Sequence, residues 1–145
     1  MKTKELQEKI VANMKAWQKI ENESVEMAAR IGKQTDNPVV RTIMSIIQQD
    51  SATHHRVQQL IIDSLEKEAI VLQPEELGGI WSLIEKHIAL ERKTIDYAKE
   101  ALDAIKSRKM VVQQYLLEYM LTDEEKHNKI LDNLEGVKKG MYPYA

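Results

Sequence analysis

The chain contains no cysteine and no phenylalanine, and only five glycines and three prolines in 145 residues. Without cysteine there is no disulfide framework, iron–sulfur cluster, rubredoxin-type centre or thiol nucleophile. No sign of charge dominates either: 21 Lys and Arg stand against 23 Asp and Glu, a formal net charge of -2. A balance so close to neutral excludes a non-specific nucleic-acid binder, which lives on phosphate neutralisation. Apolar runs extend for only a few residues, far short of the ~20 that cross a bilayer. The segment Met1 to Gln7 is charged rather than signal-like, so a cytoplasmic protein without membrane or nucleic-acid partners is expected. Glycine-rich phosphate loops and Ser-His-Asp arrangements are absent as well. The length fits a single domain, expected over residues 1–138 with 139–145 as a short tail.

What is present is helical periodicity. Gly32, Pro38, Pro74, Gly78, Gly79, Gly136 and Gly140 punctuate four helix-length stretches, at about 3–32, 38–68, 79–106 and 109–138. Apolar residues recur at spacings of three and four, and no stretch of useful length alternates with period two. An all-α four-helix bundle built from two antiparallel hairpins is the fold expected. Residues 68–79 would form a long crossover between helices two and three, although Gln73-Pro74-Glu75-Glu76 also reads as a helix start.

Each apolar stripe is broken near its middle by ionisable residues: Glu21 on the first, Asp50 and His54 on the second, His87 and Glu91 on the third, Asp123 and His127 on the fourth. Burying an unpaired carboxylate or imidazolium costs several kcal/mol, roughly, and is normally avoided. Four helices doing so at once implies that the groups face one another across a shared positive charge. Heights agree: Glu21 and His54 are equidistant from the turn at Asn37–Pro38, and Glu91 and His127 from a break centred on Lys109. Each pair would lie roughly 25 Å from its turn at ~1.5 Å per residue.

The hairpins also repeat one another. Glu21 and Ser24 correspond to Glu91 and Thr94, seventy residues on, and Asp50-Ser-Ala-Thr-His54 corresponds to Asp123-Glu-Glu-Lys-His127, seventy-three on. Glu124 and His127 form a Glu-x-x-His, which sets two donors about 60° apart on one helix. Carboxylate and imidazole donors without sulfur select iron, manganese or zinc.

This pattern resembles the di-metal carboxylate site of the ferritin-like superfamily, the rubrerythrin-like proteins in particular, over residues 10–137. The resemblance implies Glu21, His54, Glu91, Glu124 and His127 as metal ligands. It implies Asp50 and Asp123 as carboxylates that hold the remote N–H of His54 and His127, or as alternative ligands. His87 is expected as a hydrogen-bonded core histidine, with service as an extra ligand or donor the other option; Trp17 is expected to fill the core and His55 to lie on the surface. Two iron ions per chain are implied, one being possible, with manganese or zinc as alternatives.

The implied activity is oxidative, ferroxidase-like or peroxidase-like, with O2 or peroxide as substrate, an external electron donor, and a homodimer or larger homo-oligomer as the assembly. The sequence departs from the family at Ser51, where a ligand glutamate is due, and at Thr94, where rubrerythrins carry a further glutamate. Ser51 leaves open a substitution by Asp50, one tight and one weak metal, or an unloaded site. The alternative function is a metal-poor bundle acting as a binding or assembly module, or an iron-storage subunit.

Overall fold

A computed structural model describes residues 2–139. These residues form four helices and no strand: α1 (Thr3–Lys33), α2 (Pro38–Glu66), α3 (Pro74–Ile105) and α4 (Val111–Lys138). Among the described residues no helix is long and apolar enough to cross a membrane. Residues 140–145, most of the expected tail, lie outside the described residues.

The helix starts follow local chemistry. Asn37 caps α2 by accepting from the Val39 and Val40 amides at 2.9 and 3.3 Å, with Pro38 next in line. Proline fits there because the first helical N–H has no partner to lose. Pro74 opens α3 in the same way, and Glu75 and Glu76 place negative charge at the positive end of the helix dipole. That start corrects the expectation of a non-helical stretch over 68–79: the chain is helical from Pro74 and runs through Gly78 and Gly79. Only residues 67–73 remain between α2 and α3. Seven residues reach about 25 Å when extended, not the ~40 Å expected of twelve.

The chain divides into two compact units, Met1–Ile70 and Val71–Ala145. In the first, α1 packs on α2. Lys15 meets Glu66 at 3.2 Å, Gln18 donates to Gln59 at 3.1 Å, Glu21 meets His54 at 3.2 Å, and Gln48 donates to the Val25 carbonyl at 3.3 Å. Partner numbers fall on α2 as they rise on α1, around the turn located by the sequence. In the second, α3 packs on α4, and the same inverse numbering joins Trp81 to Lys138, whose ammonium lies 4.6 Å from the ring centre, and Thr94 to Glu124 at 2.8 Å.

The buried apolar residues are Val11, Ala28 and Ile62 in the first unit and Leu77, Trp81, Ile88 and Ala98 in the second. Glu21, Ser51, Gln58 and Glu91 are buried among them. Much of the apolar stripe is not covered. Trp17, expected in the core, is exposed, as are Ile20, Met27 and Ile31 on α1 and Val57 and Ile61 on α2. On α3 the exposed row is Leu83, Leu90 and Tyr97, while the side that meets α4 buries Trp81 and Ile88. Each helix thus carries an apolar arc wider than one neighbour can cover.

A carboxylate and imidazole cluster as candidate metal centre

Glu91 sits midway along α3, more than nine-tenths buried. Its Oε1 accepts from His87 Nε2, one turn earlier, at 2.9 Å. Its Oε2 is buried and has no hydrogen-bond partner among the described residues. His127 Nδ1 on α4 is 3.6 Å from that oxygen, beyond useful hydrogen-bond distance. His127 Nδ1 also lies 3.9 Å from Glu124 Oε2. One ligand atom each from Glu91, Glu124 and His127 falls within 4.8 Å of the others.

The surroundings orient the three. Asp123 Oδ2 lies 3.3 Å from His127 Nε2, which favours the ring proton on Nε2 and turns the Nδ1 lone pair toward the glutamates. Thr94 Oγ1 lies 2.8 Å from Glu124 Oε2 and 2.7 Å from the Glu91 carbonyl. Its contact with Glu124 was not legible in the sequence, which marked Thr94 only as a missing carboxylate. The signal was its place on the Glu91 stripe, one turn on.

Two carboxyls this close cannot both ionise at their ordinary strength. The Glu91 carboxyl beside it is the main cause that raises Glu124, against the Thr94 hydroxyl that lowers it, with burial adding to the rise. Its partner in that coupling, Glu124, is in turn the main cause that lowers Glu91; burial opposes it, and His87 and His127 assist.

The first unit repeats the framework with other contents. His54 Nδ1 meets Glu21 Oε1 at 3.2 Å, and Glu21 is as buried as Glu91. Ser51, at the position of Glu124, is buried and donates to Ser24 Oγ, at the position of Thr94, at 3.1 Å. Asp50 is exposed, and no contact joins it to His54 among the described residues, whereas Asp123 Oδ2 lies 3.3 Å from His127 Nε2. His87 is hydrogen-bonded, yet its side chain is 58% exposed, so it is not a core histidine. His55 is half-buried, and its carbonyl accepts from Gln18 at 3.2 Å.

No protein-family model, no curated protein and no solved structure matches the chain.

Proposed function

We propose that the chain is a metal-binding oxidoreductase with a ferritin-like arrangement of ligands, centred on Glu91, Glu124 and His127. The observation that carries this reading is the buried Glu91 Oε2, which no donor satisfies although it faces Glu124 and His127. An unpaired buried carboxylate oxygen costs about 1–3 kcal/mol or more, and a cation is the group that would relieve it together with the crowded Glu124. Two oxygens and one imidazole nitrogen suit iron, manganese or zinc. Three protein donors leave coordination open for a small substrate.

Iron bound there would supply electrons to O2 or peroxide, taken in turn from an external donor. The chain's own residues do the rest. Glu91 and Glu124 offset the charge of a divalent ion. Asp123 keeps the His127 ring turned, His87 fixes the Glu91 carboxylate through Oε1, and Thr94 holds Glu124.

The proposal includes closure of the hairpins into a four-helix bundle, within one chain or between two copies in a homodimer. It is supported by where the imidazoles stand. His54 shares a helical row with Ile47, Val57 and Ile61, and His127 with Met120 and Ile130, all apolar residues exposed to solvent. Such rows call for a cover.

The test is oxygen uptake on adding ferrous iron anaerobically loaded onto the protein. Wild type should consume O2 well above free iron at the same concentration, and Glu91→Gln and His127→Ala should return uptake to that background. Equal uptake by all three would contradict the proposal.

A further inference from the structure

The internal repeat lets one hairpin serve as the control for the other. Glu21, Ser24, Ser51 and His54 occupy the places of Glu91, Thr94, Glu124 and His127. The geometry is shared: a buried glutamate on the first helix of each unit faces a histidine on the second, Nδ1 toward the carboxylate, at 3.2 Å in one unit and 3.6 Å in the other. The electrostatics are not. The first unit offers one carboxylate and one imidazole, a pair that satisfies itself, and neither Glu21 oxygen is among the buried polar atoms left without a partner. The position that would add the second negative charge holds a neutral serine, whose hydroxyl is already taken by Ser24. The second unit offers two carboxylates, one oxygen of which is buried and unsatisfied, an imidazole, and Asp123 behind that imidazole.

We propose that the chain binds one divalent transition-metal ion, held wholly within Val71–Ala145 by Glu91, Glu124 and His127, and that the Glu21–His54 pair binds none. This rests on the metal reading given above and departs from the two ions implied by the resemblance. Two donors with a single negative charge are too few to strip a divalent ion of its water, whereas three donors with two charges cancel it. The buried glutamate of the first unit has His54 Nδ1 as its hydrogen-bond partner at 3.2 Å.

The experiment is a titration of the full chain with cobalt(II), read by calorimetry and by the visible bands that cobalt acquires on losing water ligands. The expected result is one ion per wild-type chain, with affinity lowered at least about 100-fold by Glu91→Gln or His127→Ala. Glu21→Gln and His54→Ala should keep one ion and an affinity within about twofold, with far-ultraviolet circular dichroism confirming that each variant is helical. Ser51→Glu supplies the missing charge and should raise the count to two. Two ions on the wild type, or a loss in His54→Ala as deep as in His127→Ala, would overturn the inference while leaving metal binding intact. No ion on the wild type would overturn the metal reading itself.

Discussion

Ser51 Oγ donates to Ser24 Oγ at 3.1 Å, at the point of the repeat where Thr94 Oγ1 lies 2.8 Å from Glu124 Oε2. One framework therefore holds a neutral pair in one unit and a charged pair in the other. The two hairpins differ at this point by a single carboxylate.

Thr94→Val tests how that charge is held. The hydroxyl is the group that lowers Glu124 against the pull of Glu91, so its loss should move the Glu124 titration further upward, measured by carboxyl carbon NMR. A proton held more tightly competes better with a cation, and cobalt affinity at neutral pH should fall about tenfold, as for other groups that orient ligands. An unchanged titration would show that Thr94 serves only the Glu91 carbonyl, 2.7 Å away.

Gly78 and Gly79 lie exposed inside α3, and nothing lies within 4 Å of a Cβ added at either. Glycine inside a helix costs about 0.8–1 kcal/mol relative to alanine. Gly78→Ala and Gly79→Ala should each stabilise the protein by roughly that amount in urea unfolding. Were 74–79 an extended crossover, alanine would bring no such gain.

Asp63 gives a pH dependence with a definite sign. The Gln59 amide, 2.9 Å away, is the main cause that lowers its carboxyl below the usual 3.8, and Lys67 at 3.0 Å adds to it. A depressed carboxyl contributes stability that is present above its unfolded value and is lost as pH falls through the folded one. The last turn of α2 should therefore loosen only below about pH 4, seen as faster amide exchange around Lys67. Asp63→Asn should show that faster exchange at neutral pH with no further acid step.

The exposed rows give a test of bundle closure. Ile20 and Leu90 are 59% and 57% exposed, and they occupy equivalent places in the repeat. If a second hairpin covers these rows in solution, Ile20→Ser and Leu90→Ser should each cost about 1.5–3 kcal/mol in unfolding free energy. A cost under about 0.5 kcal/mol, as for isolated surface positions, would mean that the rows stay open.

Helix number, helix type and the pairing of Glu21 with His54 and Glu91 with His127 were legible in the sequence, because period 3.6 and distance from a turn are geometric properties of a chain. The start of α3 was read late because Gly78-Gly79 suggested a break, whereas the Pro74 start and the acidic first turn prevailed. The stripe places Trp17 in the core, yet it is exposed, while Trp81 and Ile88 are buried. An apolar arc wide enough for two neighbours does not say which one a side chain meets. Nor could spacing show that Glu91 Oε2 would lack a partner or that Ser51 would find one, since both depend on rotamers set by the opposite helix.

The most direct measurement of the central claim is anomalous scattering from crystals of the full chain grown with cobalt(II) or iron(II), collected on either side of the metal's absorption edge. The account predicts one strong peak per chain, within coordination distance of Glu91 Oε2, a Glu124 oxygen and His127 Nδ1. A map with no peak there, and with Glu91 Oε2 bonded to a protein or water donor instead, would contradict it.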